Sequence, residues 1–150
     1  MSTVISCTLP APSALHARRT DGDFLDCYAA QSNKSPRAAA EAIVAFPGWA
    51  KALVALRAIA TAPFGLRQDG PDSTDKLGPF PVEHETKNEI IAGFDDKHLN
   101  FRISVLQHDG RIHLATWVQP HNLAGRLYLA AIMPFHIMIA RDGVARAARD

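Results

Sequence analysis

The stretch from Asp95 to His136 decides the fold. It reads D-D-K-H-L-N-F-R-I-S-V over 95–105, T-W-V-Q-P-H-N-L-A-G-R-L-Y-L over 116–129 and I-M-P-F-H over 132–136. The first part alternates apolar and polar residues, which is the period of a half-buried strand. The other two parts join a strand to a nearly uncharged helix that carries a histidine. This pattern predicts a curved sheet closed by a long C-terminal helix, an arrangement that tends to leave a cavity for a small molecule.

Apolar and polar residues alternate with a period of two from Gly78 onward. This alternation predicts four strands, over residues 80–84, 88–94, 98–107 and 111–119. His108-Asp109-Gly110 supplies a hairpin turn of the Asp-Gly kind between the last two. An earlier strand is predicted from Asp23 to Ala29, and residues 1–19 are expected to be a loose lead-in. The strands therefore predict an antiparallel meander.

Two short helices are predicted after the first strand. Ser35-Pro36 provides an N-cap and a proline at the first helical position, ahead of the helix formers in residues 38–46. A second helix is indicated by apolar residues that recur on one face, namely Trp49, Leu53, Leu56 and Ala60. Residues 68–76 are polar and turn-rich, so we expect an exposed loop there.

The last helix is expected to start at the cap Asn122 and to run to about Ala148. Pro134 is expected to kink it, because proline removes an internal hydrogen bond. The order of elements predicts an α+β fold of the helix-grip kind, with a curved antiparallel sheet wrapped on the long kinked C-terminal helix. Residues 1–150 fit a single domain of this kind.

The composition argues against several classes of partner. Lys and Arg total 16 against 15 for Asp and Glu, and a net charge of +1 provides no field for nucleic acid or anionic lipid. The first twenty residues lack the pattern of a secretory signal. The apolar run between Arg126 and Arg141 is 14 residues long, shorter than the ~20 that span a membrane. We therefore expect a buried helix and no membrane contact.

The two cysteines are Cys7 and Cys27. They are too few and too far apart in sequence to indicate a disulfide scaffold or a thiolate metal site. Reduced thiols in a cytoplasmic protein are the expectation. The sequence leaves a homodimer open.

The strand over residues 98–106 has one apolar face, formed by Leu99, Phe101, Ile103 and Val105, and one polar face, formed by His98, Asn100, Arg102 and Ser104. In one interpretation the polar face is the solvated outside of the sheet. In the other, His98 and Arg102 turn toward a ligand or its entrance. Arg102 would then pair with a carboxylate or phosphate group through its planar guanidinium.

His136 is the leading candidate for chemistry. A stripe of the last helix places it among apolar neighbours, namely Gly125, Leu129, Ile132 and Ala140. A buried neutral imidazole needs a hydrogen bond. One interpretation is a core histidine bonded to a backbone carbonyl, to Tyr128 or to Thr116. The other is a histidine that faces the cavity and orients a ligand group or moves a proton.

The strand-to-helix corner is a candidate anion site. His121, Asn122 and Arg126 lie where free backbone N–H groups and the helix dipole favour a negative charge. Equally, Asn122 is explained as a cap and Arg126 as a surface ion-pair partner. Asp95-Asp96 beside His98 suggests a base or metal cluster, although a turn explains the two carboxylates as well. Trp117 is more typical of a core residue than of a ligand-binding one.

Cofactor motifs are missing from the sequence. There is no H-E-x-x-H pattern and no Cys/His pairing of ligand spacing, and the dinucleotide, Walker and G-x-S-x-G signatures are also absent. We therefore expect neither a dedicated metal site nor a cofactor.

Five separated motifs occur in a recognisable order. They are D-F-L-D-C-Y, the F-P-G-W helix leading to L-R-x-x-x-x-x-P-F-G-L, D-D-K-H-L-N-F-R, H-N-x-x-G-R-x-Y-L and M-P-F-H. Together, over roughly residues 5–147, they resemble an uncharacterised bacterial family, domain of unknown function 2867. That family is similar to the helix-grip superfamily of birch-pollen-allergen and START-like domains. The resemblance implies a hydrophobic cavity between the curved sheet and the last helix.

The function expected from these observations is binding of a small, partly apolar molecule, which could carry an anionic group. The alternative is an enzyme of the same fold, of the cyclase, dehydratase, isomerase or hydrolase type, in which His136 or His98 acts as the acid/base. The residues expected to contact the ligand are Arg102, Trp117, His121, Arg126, Tyr128 and His136. A third interpretation is a structural role, in which the polar face of the sheet meets another protein.

Overall fold

The computed structural model of the chain describes residues 3–20, 22–45, 48, 75–77, 80–95 and 99–148. The strands are β1 Ile5–Ser6, β2 Phe24–Gln31, β3 Lys76–Leu77, β4 Phe80–Glu85, β5 Glu89–Asp95, β6 Leu99–His108 and β7 Arg111–Pro120. The helices among the described residues are α1 Pro36–Val44 and α2 Leu123–Ala147, together with a 3-10 turn at Ala14–Ala17.

The described strands form one antiparallel, curved sheet in the order β1-β2-β7-β6-β5-β4-β3. The predicted α+β class, with a curved sheet and a long C-terminal helix, is confirmed. Strands β4 to β7 each begin and end within one residue of the predicted bounds. The turn between β6 and β7 has Asp109 at φ 54° and Gly110 at φ 74°, which is the left-handed pair that an Asp-Gly hairpin requires.

Both described α-helices begin at the predicted caps. The Ser35 side chain accepts a hydrogen bond from the Ala38 amide, and Pro36 occupies the first turn. The Asn122 side chain accepts from the Gly125 amide at 2.9 Å. The predicted second helix, from Trp49 to Ala60, and the loop over 68–74 lie outside the described residues. The kink at Pro134 stays a prediction.

One face of the sheet packs against the two helices. The apolar side chains of β2, β5, β6 and β7 on this face meet Ile43 of α1 and Val144 of α2 in one core. Gly143 lets the helices approach closely, since a Cβ there would lie 3.1 Å from Cγ2 of Ile43. Arg146 of α2 donates to the Ile43 carbonyl at 2.8 Å. The C-terminal half of α2 is therefore anchored to α1 and to the sheet.

The other face is covered by the N-terminal segment, so the expectation of a loose lead-in is corrected. Leu15 is 1% exposed and packs with Trp117 in a second core. Buried Glu89 accepts hydrogen bonds from the Ser13 hydroxyl at 2.5 Å and from the Ala14 amide at 2.8 Å. It also accepts from Ser104 at 2.5 Å. The segment packs there because this face of the sheet also carries apolar side chains, and covering them removes apolar surface from water.

The expectation that α2 is a buried helix is also wrong. Its inward stripe is the predicted one, with Gly125 and Ala140 buried and His136 mostly buried. Its outward face is apolar and exposed, however, with Leu123 69% and Leu127 62% accessible. The helix packs on the sheet and on α1 through its inward stripe, and apolar side chains of its opposite face are left exposed.

By length and composition α2 is able to cross a membrane. Its most apolar window has a mean hydropathy of 1.5, and 11% of that window is buried. One such helix is weak evidence, because core helices of proteins that never enter a membrane meet the same criteria.

Candidate functional site

An aspartate and a histidine meet where α2 crosses β2. Nε2 of His136 lies 2.9 Å from Oδ2 of Asp26, and both side chains are about four-fifths buried, with 21% and 18% exposed. The contact joins the last helix to the first long strand. The predicted need of His136 for a partner is therefore met, but by a carboxylate and not by a backbone carbonyl, Tyr128 or Thr116.

The surroundings of the pair are mainly apolar and aromatic. Phe24 meets the imidazole edge-on, with ring centroids 5.9 Å apart. Because side chains alternate along β2, Phe24, Asp26 and Tyr28 share the face that looks toward α2. Arg141 of α2 lies over the Tyr28 ring, 5.4 Å from its centroid. Burial raises the pKa of Tyr28, and the charge of Asp26 adds to the rise.

The second carboxylate oxygen of Asp26 is buried and lacks a hydrogen-bond partner in the part of the chain that the structure describes. Leaving a buried acceptor of this kind unpaired costs free energy, roughly 1–3 kcal/mol. Oδ1 is therefore a buried acceptor whose hydrogen-bonding capacity is unused among the described residues. Beside it lies the imidazole held by Oδ2, and an imidazole held by a carboxylate has the chemistry to orient a ligand or to exchange a proton.

Arg102 lies on the opposite face of the sheet from this pair. It is 9% exposed and donates to Glu83 at 3.1 Å, to the Asn100 side chain at 2.5 Å and to the Phe101 carbonyl at 2.7 Å. The polar face of β6 is therefore not a solvated surface, because the N-terminal segment covers it and Arg102 is held there by one ion pair and two hydrogen bonds. In this arrangement the guanidinium is engaged by groups of the protein itself.

Trp117 lies on the same covered face and is 2% exposed. Its indole N–H donates to Oδ2 of Asp23 at 2.9 Å, and the Arg18 guanidinium lies 5.7 Å from its ring centroid. Burial raises the pKa of Asp23, but hydrogen bonds from the Thr20 amide and from Trp117 outweigh it and hold the pKa low. Trp117 is thus a core residue that fixes the turn before β2.

The strand-to-helix corner contains a second aspartate–histidine pair. Nε2 of His121 lies 2.5 Å from Oδ1 of Asp95, with 34% and 59% of the side chains exposed. Arg126, in the first turns of α2, is exposed, and Tyr128 is half-buried. The strand-to-helix corner is therefore an exposed surface, and an anion site there stays a prediction. His98 and Asp96, two further candidates, lie outside the described residues.

Five of the six predicted ligand-contacting residues are thus spread over three places, and the sixth, Tyr128, is a half-buried residue of α2. His136 lies between α2 and the sheet, Arg102 and Trp117 lie on the other face, and His121 and Arg126 lie at the corner. The sheet itself separates the first place from the second.

Sequence reasoning missed Asp26 as a functional candidate. The signal was present in D-F-L-D-C-Y, where a carboxylate occupies the same strand face as Phe24 and Tyr28. An acidic residue in an otherwise apolar row is unusual, because burying a carboxylate requires a partner. What the sequence lacked was the identity of that partner, which lies 110 residues later.

Clusters of three or more His, Cys, Asp or Glu side chains able to hold a metal ion do not occur within the described ranges.

A family model described as "Protein of unknown function (DUF2867)" matches residues 18–143 of the chain. The match includes β2, which carries Asp26, and most of α2, which carries His136. Searches of curated proteins and of solved structures find no match.

Proposed function

We propose a ligand-binding role for this chain, which belongs to the DUF2867 family of proteins of unknown function. The site is the surface where α2 crosses β2, and the ligand is a small, partly apolar molecule. Asp26 and His136 supply its polar contacts, and Phe24 and Tyr28 supply apolar ones.

The observation that carries the proposal is the unpaired Oδ1 of Asp26 beside an imidazole that is already held by Oδ2. Pockets for small molecules combine apolar walls with a few placed polar groups. A hydroxyl or N–H group on the ligand would donate to Oδ1 and recover the free energy of the unpaired acceptor. The ligand is therefore expected to carry a hydrogen-bond donor on an apolar body.

An anionic group on the same ligand would need a cation. Arg126 is exposed and forms no ion pair with the described residues, so it is free to supply one. The start of α2 adds the positive end of the helix dipole there. In this proposal the strand-to-helix corner binds the anionic group of the ligand, and the Asp26–His136 pair binds the hydrogen-bond donor of the ligand.

The test is native beside denaturing mass spectrometry of the purified, buffer-exchanged protein. We expect a bound mass that is lost on denaturation, and its formula should contain a hydroxyl or amine. The same spectra count protomers and so decide whether the chain is a homodimer. The bound mass should also disappear from Asp26→Asn and His136→Ala.

The control is His84→Ala, which removes an exposed histidine of β4. If His136→Ala retains the bound molecule as fully as His84→Ala does, the ligand lies elsewhere and the residue assignment fails. If the wild-type protein carries nothing, a thermal-shift screen of alcohols and amines is the second test. The proposal fails if no compound in this screen raises the Tm of wild type more than it raises the Tm of Asp26→Asn.

An enzyme of the same fold is the second candidate, and one contact favours it. An imidazole oriented by a carboxylate is the arrangement that many enzymes use for general acid/base catalysis. With Nε2–H donating to Asp26, Nδ1 of His136 would be the acceptor for a substrate proton. A molecule found bound to the protein would be assayed for isomerisation, dehydration or hydrolysis. Turnover by wild type with a pH-dependent rate that is lost in His136→Gln would establish catalysis, whereas unchanged turnover would exclude this histidine.

A further inference from the structure

The two cysteines of the chain, which lie 20 positions apart in sequence, touch in the structure. Sγ of Cys7 is 3.4 Å from Sγ of Cys27, close to van der Waals contact between sulfur atoms. Both are free thiols. The fold therefore brings the two thiols together despite their separation in sequence.

Strand pairing is the cause of this contact. Ile5 pairs with Ala29 and Ser6 with Tyr28, so the register continues to Cys7 opposite Cys27. The Cys7 amide donates to the Cys27 carbonyl at 2.9 Å, which extends the ladder to this position. Directly opposed residues of antiparallel strands have Cα atoms about 4.5–5.5 Å apart, within the range of about 4.4–6.8 Å that a disulfide accepts.

The two thiols differ in accessibility. Cys27 is 2% exposed and belongs to the second core with Ile91 and Trp117. Cys7 is half-buried at the edge of the sheet, where an oxidant can reach it. Burial raises the pKa of the Cys27 thiol, and the neighbouring Cys7 and Asp26 raise it further. Cys7 is therefore the first thiol to react, and Cys27 is the second.

We propose that Cys7 and Cys27 are a modification site at which a hydroperoxide converts the thiol pair to a cross-strand disulfide. In the first step the Cys7 sulfur attacks one peroxide oxygen, the O–O bond breaks, and Cys7 sulfenic acid and one water form. In the second step the Cys27 sulfur attacks the Cys7 sulfur, the S–O bond breaks, and a second water leaves. Two thiols are oxidised, and one hydrogen peroxide is reduced to two waters.

The bridge would lock the N-terminal segment onto the sheet. In the reduced protein β1 has two residues, and the segment that follows is held by Leu9, Leu15 and the hydrogen bonds to Glu89. A disulfide between positions 7 and 27 closes a loop that contains Leu9, Leu15 and the two donors to Glu89, which are Ser13 and Ala14. Because the cross-link restricts the unfolded chain, the oxidised protein is more resistant to unfolding.

The experiment uses the full chain, reduced and then freed of reductant, and hydrogen peroxide as the probe. Under denaturing conditions we expect a single chain, not a cross-linked pair, whose mass has fallen by two hydrogens. Under denaturing conditions, no thiol should react with N-ethylmaleimide until dithiothreitol is added. Peptide mapping should find Cys7 joined to Cys27, and Tm should rise by about 5–10 °C on oxidation.

Cys7→Ser is the matched variant, because it removes the accessible thiol and leaves the buried one. It should fold like wild type by circular dichroism and show no change in Tm with peroxide. Three outcomes would overturn the proposal in wild type: two free thiols after excess peroxide, a disulfide between chains, or sulfinic acid on Cys7 with Cys27 still alkylable. Cys27→Ala should instead stop at sulfenic or sulfinic acid on Cys7.

Discussion

Nε2 of His136 and Oδ2 of Asp26 lie 2.9 Å apart, and this contact joins the last helix to β2 across 110 positions of the chain. The pair is mostly buried, so it is shielded from the screening that weakens surface ion pairs. It is therefore expected to hold α2 in place as well as to contact a ligand.

A double-mutant cycle measures this contact. We expect Asp26→Ala and His136→Ala each to lower the free energy of unfolding, and the double variant to lose about 1 kcal/mol less than the sum. His136→Ala should be the more costly, since it leaves both carboxylate oxygens of a largely buried aspartate unpaired. Urea unfolding of wild type, the two single variants and the double variant at pH 7 gives the coupling free energy between the two side chains. Additive losses would show that the two side chains do not interact in solution.

Acidity should destabilise the protein through His113. This side chain is 8% exposed, and its Nδ1 is buried without a partner among the described residues. Burial lowers the pKa of His113 in the folded state below its ordinary value of 6.5, and His108 lowers it further, against hydrogen bonds that raise it. The unfolded chain therefore binds the proton more readily. The contribution to stability is complete above the unfolded pKa and is lost as pH falls below it.

The measurement is urea unfolding of wild type and His113→Gln between pH 8 and pH 5. The free energy of unfolding of wild type should fall below about pH 6.5, by at most about 1.4 kcal/mol per pH unit from this group. The difference between wild type and His113→Gln should shrink over the same interval. His84→Ala, at an exposed position, should follow wild type. A difference that is independent of pH would contradict the assignment to His113.

Glu89 should be a structural carboxylate. It is 3% exposed and accepts hydrogen bonds from Ser13, Ala14 and Ser104. Glu89→Ala leaves the buried Ser13 and Ser104 hydroxyls and the Ala14 amide without this acceptor and should cost about 2–4 kcal/mol of unfolding free energy. Glu89→Gln retains one acceptor oxygen and should cost less. Protease cleavage within residues 7–17 should increase in Glu89→Ala, because the segment loses its anchor. Equal losses for the two variants would indicate that packing and not hydrogen bonding holds the segment.

Replacing Gly93 by any residue with a side chain should destabilise the protein. Its φ is +144°, and a Cβ there would lie 2.4 Å from the Phe101 carbonyl oxygen and 2.9 Å from Cα of Arg102. Both contacts are with backbone of the paired strand, so neither can move aside cheaply. Gly93→Ala is expected to cost about 3 kcal/mol or more by urea unfolding.

Gly110→Ala is the control for backbone strain alone. It has φ +74° in the hairpin turn, with open space around the missing Cβ. Its cost should be about 1 kcal/mol. Similar losses at the two glycines would mean that the β5–β6 contact relaxes in solution and that the close approach at Gly93 is not rigid.

Local features of this protein were predictable from its sequence. The caps Ser35 and Asn122, the Asp109-Gly110 turn and strands β4 to β7 depend on the chemistry of adjacent residues and on side-chain period, which a few positions reveal. The inward stripe of α2 that contains His136 follows in the same way from helical spacing. Together these local features were enough to predict the α+β fold class correctly.

The site and the cover of the sheet depended on tertiary structure. Alternation in β6 places Arg102 and Val105 on opposite faces of the sheet, but it does not show which element packs on each face. The structure shows that the helices pack on the face of Val105 and the N-terminal segment on the face of Arg102. Asp26 meets His136, and Cys7 meets Cys27, through strand order and register. Sequence by itself determined which residues share a face, because that is a local property of the backbone. Only the tertiary structure decided which faces meet, because contacts between residues 20 to 110 positions apart form when the whole sheet and α2 pack together.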